Sequence, residues 1–286
     1  TGPGASKPSA QPARAGTPAA ITGFAAIGSK KEGEGPLGQY FDIINFDSTF
    51  SQKSWEKAES QMVHDTVELA VKKAGLSYQD IDCIFTGDLL NQCIAAGFAM
   101  RDFPVPFYGL YGACSTMGES LSLAALLLSA GYLTRAAAVT SSHFCSAERQ
   151  YRMPMPYGSQ RCPTAQWTAT AAGCCILGAQ GDGPYITHVT CGRIVDMGIK
   201  DANNMGAAMA MAAVDTILTN FHDLGVDENH YDKIITGDLG QVGKRLLLDF
   251  LDKAGHDAES RYMDCGIEIF DAASQDTHAG GSGCGC

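Results

Sequence analysis

The sequence predicts an α/β protein made of two similar halves, each a sheet covered by helices, with the second half cut short at its C-terminal end. Two observations carry this. The segment "VHDTVELAVKKAGLSYQDIDCIFTGDL" (63–89) aligns without a gap on "AVDTILTNFHDLGVDENHYDKIITGDL" (213–239) at a constant offset of 150 residues, with nine of 27 positions identical. The identities are Asp65/Asp215, Thr66/Thr216, Gly75/Gly225, Asp82/Asp232, Ile84/Ile234 and the whole of Thr-Gly-Asp-Leu. In addition, strand-like segments such as "PFYGLYG" (106–112) and "RAAAVTSS" (135–142) are near-continuous apolar or small runs, the pattern of sheets covered on both faces.

Taken in order, residues 1–19 are rich in Gly, Pro, Ser and Ala without periodicity and read as a disordered leader, so order is expected from about Ala20. Each repeat copy then reads as a helical pattern closing at a glycine C-cap, a polar loop and a short β-rich run, "DCIFTG" or "DKIITG". The first half spans 20–182 and closes on the strand-like "TAAGCCILGAQ"; the second spans 183–286 and opens at "PYITHVTCGRI". After its Thr-Gly-Asp-Leu the first copy continues through a helix, the strand at 106–112, a turn at Cys114 and an apolar helix. The second continues through "QVGKRLLLDFLDKAG", the strand-like "YMDCGIEIF" and "HAGGSGCGC", where the counterpart of residues 115–182 would begin.

Composition limits the function. With 286 residues, 45% hydrophobic and 18% charged, the chain can bury a substantial core. A net charge of -11 without clustered Lys and Arg argues against nucleic acid or a broad anionic surface as partner. Eleven scattered cysteines without a signal peptide read as reduced thiols in a cytosol-like compartment. Neither Cys174-Cys175 nor Cys284-x-Cys286 has a second Cys/His couple at zinc-site spacing, so no metal is expected. The apolar run from Leu121 to Leu128 is far shorter than the ~20 residues of a membrane span.

The chemistry concentrates at Cys114. Thr116-x-x-Glu119 reads as a capping box, so a helix should begin just after the cysteine and aim its N–H groups and positive dipole end at the sulfur. Such a setting favours thiolate. The helix, with Leu121, Leu123, Leu126, Leu127 and Leu128 around its circumference, should be buried on all sides. Strand, small-residue turn and buried helix make a nucleophile-elbow pattern with cysteine in the nucleophile's place. The residues alone leave two roles open for Cys114, nucleophile or small packing residue.

Together with the duplication, this layout resembles the thiolase superfamily, which implies a five-layer α-β-α-β-α fold with a cysteine at this turn of the first half. The segments "KEGEGPLGQYFD", "QKSWEKAES", "TGDLLNQ", "GACST", "TSSHFCSAERQYR", "GRIVDMGI" and "AGGSGC" are similar to one branch of it, the stage V sporulation protein AD family.

A condensing enzyme of that superfamily also needs a His, with Asn or a second His, to stabilise an enolate or oxyanion. Where the resemblance places that His, this chain has Gly237 and Asp238, and a carboxylate would repel an enolate. At the later turn it reads "AGGSGC", with His278 a few residues early as a possible substitute. Asp88 and Asp238 are expected to cap neighbouring turns or helices.

The resemblance implies a sporulation protein that binds dipicolinic acid and supports its uptake into the developing spore. A Cys114-dependent acyltransferase and a ligand-free scaffold are the alternatives, and enzyme activity is left open. Ligand contacts are expected from Cys114, Ser115 and Thr116 at the turn, from His143, and from Arg149 or Arg152, unless the arginines pair with surface acids such as Glu148. No cofactor is expected, calcium entering only as part of the ligand chelate. The implied partners are other stage V sporulation membrane proteins and a second copy of the chain, with the protein cytosolic in type and peripheral at the spore inner membrane.

Overall fold

The computed structural model describes residues 17–151, 161–283 and 285. The first strand, β1 (Ala19–Ser29), runs into one helical turn, α1 (Lys30–Gly33), and then β2 (Ile43–Asn45). Helix α2 (Trp55–Lys73), β3 (Cys83–Gly87), α3 (Ile94–Met100), β4 (Phe107–Gly109), α4 (Thr116–Ser129) and β5 (Arg135–Ser142) follow. Then come α5 (Phe144–Tyr151), β6 (Trp167–Thr168), β7 (Ala171–Gly178) and β8 (Tyr185–Ile186). The remainder is α6 (Met205–Leu224), β9 (Ile234–Thr236), α7 (Gly240–Lys253), β10 (Tyr262–Asp264), α8 (Cys265–Glu268) and β11 (Gly281–Ser282).

The central sheet has the order β2-β1-β7-β5-β3-β4, with β8 added beside β1. Strand β7 is antiparallel to both β1 and β5, while β3 is parallel to β5 and β4. Side chains alternate between two covered faces. Ile84, Ala137, Val139, Cys174 and Ile176 pack with Val63, Val67 and Ala70 of α2; Phe85, Ala136, Ala138 and Leu177 pack with Ala124, Ala125 and Leu128 of α4. The near-continuous runs of β3, β5 and β7 follow from this double burial. Cys174 and Cys175 fall on opposite faces, and all described cysteines are free thiols.

The repeat survives as register. Helices α2 and α6 begin 150 residues apart, as do the 3-10 turns Tyr78–Asp80 and Glu228–His230, capped by Ser77 and Asp227. Gly75 and Gly225 close their helices in the left-handed region, at φ +68° and +66°. Because a Cβ there costs about 1–2 kcal/mol, Gly75→Ala and Gly225→Ala should each lower unfolding stability by about 1 kcal/mol, measurable by urea denaturation. In the second half, α6 and α7 enclose Val214, Phe221, Leu247 and Leu251 against Ile234 and Tyr262.

Several expectations need correction. Ala19, assigned to the leader, already pairs in β1, and residues 1–16 lie outside those described. The predicted strand at 106–112 contracts to β4, whose three residues are exposed at the sheet edge. Only Tyr262–Asp264 of "YMDCGIEIF" is strand; the rest turns into α8. Strand β8, from the segment read as the opening of the second half, pairs with β1 of the first sheet. Leu121, Leu123, Leu126 and Leu127 of α4 are half-buried, so one side of this helix is not fully enclosed.

Candidate functional site

The strand-to-helix turn puts Cys114 in a 3-10 turn, Ala113–Ser115, directly ahead of α4. Ala113 has φ +47°, a left-handed conformation that a non-glycine residue adopts at a cost. The capping box does not form: Thr116 Oγ1 donates to the Ala113 carbonyl at 2.7 Å, Ser115 Oγ donates to the Gly112 carbonyl at 2.7 Å, and the helix has no side-chain N-cap bond. Both hydroxyls are therefore used inside the turn.

Above the sulfur lies a cavity of about 370 Å³ built from both halves. Leu89 and Ala113 flank Cys114, and α5 contributes Ala147, Glu148 and Tyr151. Thr168, residues 202, 203 and 205, Ser282 and Gly283 close the remaining sides. Tyr151 Oη donates to the Leu89 carbonyl, which fixes the ring as a wall. Gly283 has φ +97°, and a Cβ there would lie 2.8 Å from Ser142 Oγ, so this stretch of the wall requires glycine.

An acid of the second half stands near the sulfur. The buried Asp238 carboxylate lies close enough to Cys114 for the thiol to act on its titration, and it accepts from the Gly283 N–H at 3.3 Å. Burial pushes Asp238 up to about 6, against the pull of the Cys114 thiol and the Gly283 N–H. Its repeat counterpart, Asp88, behaves as expected of a capping acid, accepting from the N–H groups of Leu90 and Ala96, each at 2.7 Å. Asp238 meets the capping expectation only at the Gly283 turn and not at its helix, because Asp264 takes that task at α7, accepting from the N–H groups of Leu239 at 2.9 Å and Gly240 at 3.0 Å. Gln166 Nε2 donates to the carbonyls of Asp238 and Gly281, both at 2.7 Å, and so ties together the two second-half turns that meet at the cavity.

Of the residues predicted to touch a ligand, Cys114 faces the cavity, whereas Ser115, Thr116, His143 and Arg149 are not among its walls. His143 is buried, with Nε2 2.8 Å from the Ser48 carbonyl and Nδ1 3.1 Å from the Cys145 N–H. Burial holds its pKa below that of an ordinary imidazole, the Ser48 carbonyl pulling the other way. Its ring clasps two backbone segments. His143→Leu would leave both partly buried backbone groups without this partner, at up to about 1–3 kcal/mol each; urea denaturation should show that loss. Arg149 pairs with Glu56 on α2 and not with Glu148. Arg152 lies outside the described residues. His278 turns its ring to Asp276, 3.2 Å away.

Glu148, Tyr151, Asn203 and Met205 are walls that sequence reasoning missed. The helical spacing of residues 147, 148 and 151 on a segment just past β5 was the available signal. Glu148 lies 4.0 Å from Arg161, whose guanidinium stands 4.9 Å from the Trp167 ring centroid. The described residues hold one group with metal-ligand geometry, His64, Asp65 and Glu68 on α2, away from this cavity.

Comparison with known proteins follows this geometry. Residues 9–286 match the family model described as stage V sporulation protein AD. The stage V sporulation protein AD of Bacillus subtilis (strain 168) is 43% identical over 256 residues, covering 90% of this chain and 75% of the relative. Among solved structures, 3-oxoacyl-(acyl carrier protein) synthase III of Xanthomonas oryzae pv. oryzae aligns with TM-score 0.57 and 16% identity, over 86% of this chain and 84% of its own. OleA of Xanthomonas campestris with bound cerulenin aligns with TM-score 0.58 and 15% identity, over 86% and 81%. At these identities the likeness concerns the thiolase-like fold alone. No helix among the described residues is long and apolar enough to cross a membrane.

Proposed function

The chain belongs to the stage V sporulation protein AD family, and from that premise we propose that it is a non-condensing, thiolase-fold protein of sporulation whose cavity over Cys114 binds dipicolinic acid, free or as its calcium chelate, in support of uptake into the developing spore. The observation that carries the reading is the cavity over Cys114; the acids Asp238 and Glu148 beside it count against condensation and favour the neutral calcium chelate over the free dianion as guest. Where a condensing site needs a neutral or cationic donor to gather negative charge, Asp238 presents a carboxylate. The cavity suits a small planar guest, being within the ~300–1,000 Å³ of ordinary ligand sites and walled by Leu89, Ala147 and Met205 with polar groups from Thr168, Asn203 and Ser282.

Calorimetric titration of the whole chain with dipicolinate, and separately with its calcium chelate, tests this directly. Saturable heat with either supports the reading, and no heat with both removes it. The strained turn at Ala113 favours a second reading, acyl transfer through Cys114. A mass increase on Cys114 after incubation with an acyl-CoA would turn the account toward that enzyme.

Dimerisation is proposed along β4, where Phe107, Tyr108 and Tyr111 stand 44%, 59% and 53% exposed beside a strand edge that is unpaired among the described residues. Joint action with other stage V sporulation membrane proteins, at the periphery of the spore inner membrane, is part of the same proposal and rests on family membership.

A further inference from the structure

We propose that a second copy of the chain, docked along β4, orders the α5 wall of the cavity over Cys114, and that Tyr111 is the positioning residue that carries this effect. The inference rests on the dimer proposed above and goes beyond it, since it makes the cavity wall depend on self-association.

Beside β4 lies an open groove of about 570 Å³, with Asn91, Gln92, Cys93, Phe107 and Tyr111 among its walls. Residues 89–100 and 103–118 carry no charged side chain, and Arg101 and Asp102 between them pair with each other at 3.4 Å. A charged partner finds nothing to pair with here. In a chain of net charge -11, two copies repel each other except where neutral face meets neutral face. The β4 edge, unpaired among the described residues and carrying the exposed rings of Phe107 and Tyr108, meets its own copy across a two-fold axis, each strand satisfying the other's open backbone groups. A second copy is therefore the occupant that this face fits.

The loop after β3 is shared by groove and cavity. Leu89 walls the cavity, while Asn91, Gln92 and Cys93 wall the groove. Tyr151 Oη donates to the Leu89 carbonyl, the Asn91 N–H donates to Gln150 Oε1 at 3.0 Å, and Tyr111 Oη donates to Asn91 Oδ1 at 3.1 Å. Tyr111 Oη also stands 3.5 Å from Tyr151 Oη. The last turn of α5, and with it the wall made by Ala147, Glu148 and Tyr151, is thus tied to the residue two places after β4. Gln92 and Cys93 hold left-handed φ values of +61° and +52°, which persist only where their surroundings fix them. The loop accordingly has two arrangements, strained and clamped or released. A copy seated against the Tyr111 ring favours the clamped one, and by linkage a guest packed on Leu89 and Tyr151 favours the dimer.

Hydrogen exchange of the whole chain without any guest, read at concentrations above and below its dimer dissociation constant, tests this. In the dimer the amides of residues 89–93 and 147–151 should exchange at least about fivefold more slowly, while those of α7 are unchanged. Tyr111→Phe keeps the ring and deletes the hydroxyl. It should dimerise and unfold in urea as the wild type does, yet lose the added protection at 147–151. Phe107→Lys puts a charge on the edge and should sediment as a monomer with the unprotected pattern at every concentration. Absence of a wild-type dimer, a dimer that survives Phe107→Lys, equal exchange in monomer and dimer, or full protection in Tyr111→Phe would each overturn the proposal. Calcium dipicolinate supplies a separate arm: in sedimentation it should tighten the wild-type dimer about fivefold and leave the Tyr111→Phe dimer unchanged. Binding without tightening contradicts the coupling. If calorimetry shows no heat, the ligand reading falls while the guest-free exchange still decides this one.

Discussion

The Ala147→Phe protein is expected to lose dipicolinate affinity by about a hundredfold or more, equivalent to about 2.7 kcal/mol, while keeping its fold. Ala147 sits on α5 at the cavity, packed with Leu89 beside Ala113 and Cys114. A phenyl ring from this position has open space to enter, so it displaces the guest instead of compressing the core, and the overpacking cost of about 1–3 kcal/mol seen in filled interiors is largely avoided. Calorimetry with the calcium chelate reads the affinity, and urea denaturation reads the stability. Unchanged affinity in a folded Ala147→Phe protein would place the binding site elsewhere.

The second large effect concerns pH. Glu59 of α2 is fully buried, accepts from Ser141 Oγ at 2.9 Å and Ser146 Oγ at 2.8 Å, and is pushed up to about 8 by burial and then by the charge of Asp88. Glu32 is pushed up to about 7 by burial, against the Thr170 N–H at 2.8 Å. Unfolded carboxyls titrate near ~4, so between about pH 4 and pH 8 the folded chain binds more protons than the unfolded one, and stability falls as pH rises through that window. Glu59→Gln keeps the volume and offers the two hydroxyls an uncharged partner. Its unfolding free energy should decline less steeply over the window, leaving it more stable than wild type above pH 8. Parallel stability curves for the two proteins would contradict the assignment.

Much of the fold is legible in the sequence because its signals are local or periodic. The 150-residue offset foresees the helix starts and the matching 3-10 turns, since capping side chains and left-handed glycines act over a few residues. The cysteine elbow is legible for the same reason. What fails is nonlocal. An apolar run reads alike at the centre of a covered sheet and at an exposed edge, so β4 was expected to be buried. His143 follows a strand end that could face the pocket, yet its ring is claimed by Ser48, 95 residues away in sequence. Arg149 cannot meet Glu148, its neighbour along the helix, and crosses to Glu56 instead. Asp88 and Asp238 are identical in the repeat, and only Asp264, 26 residues after Asp238, relieves the second of them from capping its helix.

The central claim is that the hollow over Cys114 takes dipicolinate without bonding to it, and a crystal structure of the chain grown with calcium dipicolinate tests it most directly. The account predicts a planar ring between α5 and the stretch leading into α6, with the sulfur unmodified. Density for the ligand elsewhere on the molecule, or a covalent link from the sulfur to an acyl carbon, would contradict it.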